Sequence, residues 1–263
     1  MLKDVQAEQD ARNISIQEVG IRQLRWPITL KDKEQGEQHT VGRVSLAVNL
    51  PHNLRGTHMS RFMEVLERLG ALSPDSLEQV LDDLKDHLQA EEAFLRLEFP
   101  YFISKKAPVS GRRSLMDLDC VYTAAKNKSF TLQIKVRVPI QTLCPCSKEI
   151  SQYGAHNQRA FASLEVETTK FVWLEELAQM AEAGASSPIY GLLKRPDEKF
   201  VTEKAYENPR FVEDAVREIA LKLDQDQRIL RYRVSVESIE SIHNHNAFAC
   251  VEKAWKQAAD YAL

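Results

Sequence analysis

The sequence predicts an α+β fold made of two ββααββ units, each with a four-stranded antiparallel sheet and two helices on one face. Hydrophobic residues recur with period two, then with a helical period, then with period two again. This order occurs twice along the 263 residues, although the two halves share a pattern and not residue identities. Strands joined by short turns pair antiparallel, and the helices would cover one face of each sheet. The uncovered face predicts assembly of several chains, with ligand pockets at their interfaces.

The first half carries the first copy of this order. Its first strand alternates poorly, whereas the second alternates clearly. Gly70 is typical of a helix stop, and Ser73 followed by Pro74 is typical of an N-cap and the first helical position. The predicted elements are strands at 16–30 and 44–50, helices at 59–69 and 74–88, and strands at 95–99 and 115–123.

The second half repeats the order, with a long segment of no clear period between its two helices. Cys120 and Cys250 lie in apolar strand contexts, and we interpret them as packing residues. The predicted elements are strands at 132–138 and 162–166, a helix at 173–182, an irregular loop at 184–203, a helix at 212–223, and strands at 230–236 and 247–251. The chain is therefore expected to consist of a flexible tail (1–15), a first unit (16–127) and a second unit (128–263).

Composition excludes several classes of protein. A formal net charge of -3 argues against a generally basic nucleic-acid binder. No apolar run approaches the roughly 20 residues of a membrane helix, and the polar N-terminus lacks a signal core, so we expect a cytoplasmic protein. Four cysteines are too few for a disulfide scaffold. In a reducing compartment a close pair is more often metal-binding or catalytic.

A close cysteine pair carries the strongest local signal. Cys144 and Cys146 follow a predicted strand, and His156 lies twelve residues after Cys144. Thiolate and imidazole ligands suit a borderline-soft divalent metal. The alternative is two small buried residues beside an exposed histidine. The spacing of the two cysteines alone is a weak motif. The nearby histidine and its polar neighbours modestly favour a metal site over the alternative of two buried packing residues.

The segment 51–61, PHNLRGTHMSR, lies between a strand and a helix and carries two histidines and two arginines. Such residues at a helix N-terminus suit an anion, and arginine adds bidentate phosphate contacts. The alternative is an ordinary loop in which Thr57 or Ser60 caps the helix.

Acidic residues near two other element ends are also candidates. Glu240 and His243 are three apart after an alternating strand, and they could form an acid–base pair or belong to a polar hairpin loop. Glu213 lies in the first turn of an amphipathic helix, beside its apolar face. It is either a capping partner or an anchor for a ligand.

Together these segments strongly resemble GTP cyclohydrolase of type IB, the prokaryotic family that opens folate biosynthesis without the usual type IA enzyme. The resemblance implies a tandem tunnelling fold, typically tetrameric, with active sites at subunit interfaces. The matching stretches run in family order from about residue 40 to 255: LPHNLRGTHMSRF, QTLCPCSKEIS with GAHNQR, PIYGLLKRPDEKFVTEKAYENPRFVED, and VESIESIHNHNAFA.

The resemblance also implies roles for individual residues. It assigns the metal to Cys144, His156 and Glu198, with Cys146 close by, able to ligate in some states and counted among the catalytic residues. It assigns Glu213 to the guanine edge, whose ring N–H and exocyclic amine suit a carboxylate, and Glu240 and His243 to proton transfer. Arg55, His58 and Arg61 are candidates for the triphosphate, on charge chemistry more than on the match.

The implied reaction converts GTP and water to 7,8-dihydroneopterin triphosphate and formate. It needs one divalent metal per site, for which a thiolate, imidazole and carboxylate set suits Mn²⁺, Fe²⁺ or Zn²⁺. Two other classes stay open. One is a related tunnelling-fold pterin or deazaguanine enzyme, of which the nitrile reductase would use a nucleophilic cysteine and NADPH without a metal. The other is a protein that binds metal without consuming GTP.

Overall fold

The computed structural model describes residues 4–6 and 8–254. The outer parts of the predicted tail (1–3 and 7) and the end of the predicted second unit (255–263) lie outside the described residues. The elements within the described residues are β1 (Ile16–Asp32), β2 (Gly36–Leu50), α1 (Met59–Leu66), α2 (Pro74–Leu88), β3 (Ala93–Lys106), β4 (Arg113–Lys126), β5 (Phe130–Leu143), α3 (Pro145–Ile150), β6 (Asn157–Thr168), α4 (Leu174–Ala183), β7 (Ser187–Pro188), α5 (Arg195–Glu207), α6 (Val212–Gln225), β8 (Ile229–Ser238) and β9 (Ala247–Lys253).

The described chain divides into two compact units. The first takes in the residues up to Phe99 together with Val121–Gln133, and the second takes in Pro100–Cys120 and the residues from Ile134 onward. The long strands β3, β4 and β5 therefore contribute to both units. The boundary that the sequence predicts after residue 127 falls in the turn between β4 and β5, where the order of elements starts again.

Each unit is built on antiparallel strands. In the first unit the strand order is β1-β2-β3-β4, and Leu46 of β2 lies opposite Ile21 on one side and Leu95 on the other. In the second unit the order is β3-β4-β5-β6-β8-β9, and Val234 of β8 lies opposite Leu164 and Val251. The predicted α+β class with antiparallel sheets is confirmed.

The poor alternation of the first strand has a structural cause. The pairing of β1 with β2 shifts register twice, between Ile16 and Val19 and between Ile21 and Leu24. Each extra residue turns the following side chains to the other face, so no single period covers the strand. Between the shifts, Gly20 lies so close to β2 that an added Cβ would come within 1.9 Å of the Leu46 carbonyl oxygen. No other residue fits there without moving the strand.

Two helices bury the apolar stripes that the sequence predicts. In α2 the predicted stripe is buried, and Ser73 caps the helix by accepting from the Ser76 N–H at 3.2 Å. In α6 the predicted stripe and its flanking alanines are buried too. The buried residues of these stripes are Leu77, Val80, Leu81, Leu84 and Leu88 in α2, and Val212, Ala215, Val216, Ile219, Ala220 and Leu223 in α6.

The irregular loop predicted at 184–203 is wrong over its second part. Residues from Arg195 form α5, and a two-residue strand, β7, pairs with β5 before it. Only Asp197 and Ala205 of α5 are buried, so the helix has no apolar stripe for a periodicity argument to find. The available signals were Pro196 and two acidic residues in the first turn, which favour a helix start.

The structure also bears on the predicted packing role of Cys120 and Cys250 and on the question of membrane helices. Cys120 is 1% exposed, which fits the packing role, and burial raises the pKa of its thiol. Cys250 is exposed on β9, so the packing interpretation is wrong for that residue. No helix among the described residues is long and apolar enough to cross a membrane.

Candidate active site

A cavity of about 500 Å³ in the second unit brings together five of the predicted site residues. It lies where β5, β6 and β8 meet the start of β9 and of α6. The predicted residues in its lining are Cys144, His156, Glu213, Glu240 and His243.

Backbone hydrogen bonds set the relative position of Cys144 and His156. The Cys144 N–H donates to the His156 carbonyl oxygen at 3.1 Å, across the connection from β5 to β6. Cys144 is also the N-cap of the short helix α3, and its Sγ accepts from the Ser147 N–H at 3.4 Å. The Ser147 hydroxyl oxygen in turn accepts from the His156 N–H at 3.0 Å. A proline at the first helical position makes this turn a natural helix start.

The side chain of His156 is connected to Glu240 through Gln158. The His156 Nδ1 lies 3.0 Å from the Gln158 Oε1, and the Gln158 Nε2 donates to the Glu240 Oε1 at 3.3 Å. The direct distance from His156 Nδ1 to the Glu240 Oε2 is longer, at 3.9 Å. Both side chains are largely buried, at 15% and 11% exposed. The imidazole and the carboxylate are therefore linked through one amide side chain.

The first turn of α6 decides between the two interpretations of Glu213, as a capping partner or as an anchor for a ligand. The backbone N–H of Phe211, the N-cap residue, donates to the Asp214 Oδ2 at 3.0 Å. Asp214 is thus the capping partner, while Glu213 lines the cavity. A carboxylate that does not cap its helix and faces a cavity can accept hydrogen bonds from a ligand.

His243 lies in the exposed loop between β8 and β9 and also lines the cavity. Its ring stacks on that of His245, with centroids 5.1 Å apart and planes 18° apart. The Asn246 side chain donates to Glu237 at 2.9 Å and holds the ends of the loop together. Within the described residues Glu240 bonds to Gln158 and makes no hydrogen bond to His243. The two predicted proton-transfer groups share a cavity without touching.

Glu198 is placed apart from the other two predicted ligands. It is exposed in the first turn of α5, and it does not line the cavity. Asn208, the C-cap of α5, follows Glu198 by ten residues. About 15 Å of helix therefore lies between Glu198 and the end of α5. Within residues 4–6 and 8–254, no three His, Cys, Asp or Glu side chains form a group that could hold a metal ion.

Its neighbour Asp197 fixes the start of α5. Asp197 is 0% exposed, and its carboxylate accepts from the N–H groups of Val109, Ser110 and Lys194 at 2.8–2.9 Å and from the Ser110 hydroxyl at 2.6 Å. Burial alone would raise the pKa of Asp197, but these hydrogen bonds outweigh burial and hold the pKa well below its ordinary value of 3.8.

We expect Asp197→Ala to lower the free energy of unfolding by about 1–3 kcal/mol, because one buried carboxylate gives up four hydrogen bonds to the start of α5 and the β3–β4 turn at once. Urea unfolding measures this. The exposed neighbour supplies the control, since Glu198→Ala should change stability by about 0.5 kcal/mol or less. The sign with pH follows from the lowered pKa: the contribution of Asp197 is full above the ordinary pKa and is lost as the pH falls below it. Equal stability of the two variants would contradict this role.

Cys146 and the three basic residues predicted for the triphosphate lie outside the cavity lining. Cys146 is exposed on α3. The Arg55 guanidinium pairs with Glu8, the His58 Nε2 lies 3.2 Å from the Asp4 Oδ2, and the Arg61 Nη1 donates to the His87 carbonyl oxygen at 2.7 Å. Each basic side chain already has a partner in the first unit.

The described part of the N-terminal segment is attached to the loop that carries Arg55. Gln9 forms an antiparallel bridge with Leu54. The N–H of Arg55 donates to the Glu8 carbonyl oxygen at 3.1 Å, and the N–H of Gly56 donates to that of Gln6 at 3.2 Å. Acidic side chains of this segment thereby reach the basic residues of the loop.

Sequence reasoning did not single out Gln158 and Arg210, which are among the polar residues that line the cavity. Gln158 is within the GAHNQR stretch, but a glutamine in a strand carries no chemical signal of its own. Arg210 donates through its backbone N–H to the Leu143 carbonyl oxygen at 3.0 Å, and its guanidinium lies 3.1 Å from Glu218. Arg210 follows a proline in a long polar stretch without a hydrophobic period, so no sequence pattern gave a reason to select it.

Known proteins resemble the chain over nearly its whole length. The family model for type I GTP cyclohydrolase folE2 matches residues 2–249. The chain belongs to this family. It is 58% identical to GTP cyclohydrolase FolE2 of Thermotoga maritima over 252 residues, covering 96% of this chain and 97% of that protein. It is 54% identical to GTP cyclohydrolase FolE2 of Caldicellulosiruptor bescii over 249 residues, with 95% and 97% covered.

Solved structures bear on the fold of this FolE2-family chain alone. A hyperthermostable mutant of urate oxidase from Bacillus sp. TB-90 superposes with a TM-score of 0.52 at 10% identity, covering 90% of this chain and 98% of that one. A highly active mutant of the same enzyme gives 0.52 at 9% identity, with 90% and 99% covered. The tandem tunnelling fold implied by the resemblance is confirmed.

The donors in the cavity fit a divalent metal chemically. The Cys144 thiol suits a borderline-soft ion. The His156 Nδ1 lies 3.0 Å from the Gln158 oxygen, and an outer contact at one ring nitrogen would leave Nε2 free to ligate a metal. Two of the three predicted ligands line the same cavity, and Glu198 does not.

Proposed function

We propose that this FolE2-family chain is a type IB GTP cyclohydrolase, a hydrolase that opens a cyclic amidine C–N bond. It converts GTP and water to 7,8-dihydroneopterin triphosphate and formate, the first step of de novo tetrahydrofolate biosynthesis. The observation that carries the proposal is the cavity that brings together the Cys144 thiol, the His156 imidazole, the non-capping carboxylate of Glu213 and the imidazole of His243. Family membership supports the choice of GTP over other purines.

The proposed metal ligands are Cys144, His156 and Glu198, with Cys146 near the site. The chemistry supplied by a bound Mn²⁺, Fe²⁺ or Zn²⁺ is activation of a water near neutral pH for attack on the purine. The residues of the chain perform the remaining tasks. Glu213 accepts from the ring N–H and the exocyclic amine of guanine, which orients the base. His243 delivers a proton to N7, so that the C8–N bond can break and the imidazole ring can open.

Glu240 has a place in this proposal through Gln158 and not through His243. Its carboxylate lies beside the His156 ring, where it can take a proton from the attacking water. In this proposal Glu240 is the base, beside the metal ligands, and His243 is the acid, on the loop after β8. General acid–base groups have to reach the atoms they serve by a hydrogen bond or through one water.

We also propose that the enzyme is a homotetramer of the cytoplasm with active sites at subunit interfaces. The separation of Glu198 from Cys144 within one chain supports this arrangement, because an exposed ligand on a firmly anchored helix start can serve the cavity of a second copy. Arg55, His58 and Arg61 remain proposed triphosphate contacts. Phosphate binding there has to displace Glu8 and Asp4 from the first two.

The purified chain incubated with GTP and Mn²⁺ tests the proposed function. We expect equimolar formate and a fluorescent pterin after oxidation of the product. Metal binding without GTP consumption would favour a binding protein. NADPH-dependent turnover of a deazaguanine nitrile would favour the reductase. Either result would overturn the proposed function.

We expect Glu213→Gln to weaken GTP binding about 5–150-fold, since the amide presents a donor where guanine also presents donors, at a cost of roughly 1–3 kcal/mol. Calorimetry with GTP measures this, and metal content should stay near that of the unaltered protein. Asp214→Asn is the matched control on the same helix turn. It should affect the stability of α6 while keeping GTP affinity. Equal GTP affinity in both variants would contradict the anchoring role.

A further inference from the structure

We propose that Gln158 is a positioning residue, which fixes the tautomer of His156 for metal binding and at the same time holds Glu240 beside it. The inference rests on the proposed metal site but adds a residue to which neither the motif nor the family match assigns a role. It is carried by the two contacts of one amide, at 3.0 Å to the His156 Nδ1 and 3.3 Å to the Glu240 Oε1.

The chemistry of the three groups determines the direction of each hydrogen bond. The Gln158 Nε2 donates to the Glu240 Oε1 at 3.3 Å, so the amide turns its NH₂ toward Glu240. Its carbonyl oxygen then faces the His156 Nδ1, and two acceptors cannot share a hydrogen bond, so Nδ1 carries the proton. A neutral imidazole has one protonated nitrogen. The Nε2 lone pair is therefore left for a metal.

The placement of the residue makes this effect selective. His156 immediately precedes β6 and Gln158 is the second residue of that strand, and side chains two apart in extended backbone point to the same face. Gln158 is half-buried and lines the cavity. The Glu240 Oε2, at 3.9 Å from Nδ1, is too far to orient the ring by itself. The Ser241 hydroxyl oxygen also lies near Nδ1, at the longer distance of 3.5 Å, but among the described residues only the amide connects the ring to a carboxylate by hydrogen bonds.

Two substitutions separate the two contacts. Gln158→Met keeps the length of the side chain and removes both hydrogen bonds. Gln158→Glu keeps an acceptor for the His156 Nδ1–H but loses the donor to Glu240. Gln133→Met is the matched control, because Gln133 is also a half-buried glutamine in a strand and does not line the cavity.

Nitrogen NMR of the metal-free full chain gives the first measurement, and Mn²⁺ or Zn²⁺ affinity gives the second. We expect the ring of His156 to be protonated at Nδ1 in the unaltered protein and in Gln133→Met. In Gln158→Met that preference should be lost and metal affinity should fall about 10–100-fold. Gln158→Glu should restore the tautomer and most of the metal affinity while GTP turnover stays low, because Glu240 then faces a like charge.

The measurements distinguish failure of this inference from failure of the proposed function. A proton on Nε2 in the unaltered protein would overturn the positioning role directly, even if every variant misfolded. Unchanged metal affinity in a folded Gln158→Met protein would also overturn it. If the tautomer and affinity results hold while no variant or parent consumes GTP, the positioning role stands and the cyclohydrolase proposal falls.

Discussion

We expect the Cys144→Ala protein to fold, to bind a divalent metal far more weakly than the unaltered chain, and to release almost no formate from GTP. The thiolate is the softest ligand proposed for the site, and the remaining imidazole and carboxylate should hold metal poorly. The loss should exceed the roughly 10–100-fold that removal of a supporting residue typically costs. Metal stoichiometry after dialysis and formate release measure it.

Other cysteines supply the controls for this result. Cys146→Ala should retain more metal, since Cys146 is exposed on α3 and outside the cavity lining, and Cys250→Ala should behave like the unaltered protein. Full metal occupancy with normal turnover in Cys144→Ala would overturn the ligand assignment.

Mixing two inactive variants tests the interfacial part of the proposal. If Glu198 serves the cavity of a second copy, co-expressed Cys144→Ala and Glu198→Ala chains should regain roughly a quarter of the activity, because sites at a symmetric interface combine one intact residue from each chain at random. If both ligands come from one chain, no site in the mixture is complete and activity should stay absent.

The second large effect separates proton transfer from metal binding. His243→Ala should keep its metal and bind GTP, yet turn over about 10²–10⁴-fold more slowly, which is the typical contribution of a general acid or base. His156→Ala should lose the metal instead. The structure supports this division, because His156 is hydrogen-bonded next to Cys144 whereas His243 lies on an exposed loop.

Metal stoichiometry, GTP affinity and formate release on both histidine variants decide between the roles. His245→Ala is a useful third variant, since its ring stacks on His243 at 5.1 Å. An empty metal site in His243→Ala together with a full one in His156→Ala would reverse the two assignments.

Much of the fold was predictable because buried hydrophobic residues recur at a regular spacing in the sequence. The stripes of α2 and α6 are long and regular, and their residues are buried as expected. The prediction failed where burial leaves no period. Helix α5 is polar nearly all round and is held by hydrogen bonds to Asp197, and β1 changes face at two register shifts.

The candidate site was likewise predictable in part. Five predicted residues meet in one cavity, because chemically distinctive side chains at strand and helix ends are easy to find and strand order brings those ends together. Spacing could not show that Arg55 and His58 would pair with acidic residues about 50 positions earlier in the chain. It also could not show that Asp214 and not its neighbour would cap α6, since two adjacent carboxylates look alike in sequence.

The backbone hydrogen bond between Cys144 and His156 has a consequence for how the proposed metal site would be loaded. The Cys144 N lies 3.1 Å from the His156 carbonyl oxygen across the β5–β6 connection, beside strands whose inward side chains are almost fully buried. If these two residues are ligands, folding alone fixes their backbones, unlike those of a zinc finger, whose ligands come together only around the ion. Loading would then take place on a finished protein, and the ion bound would follow the supply of free metal more than the order of synthesis.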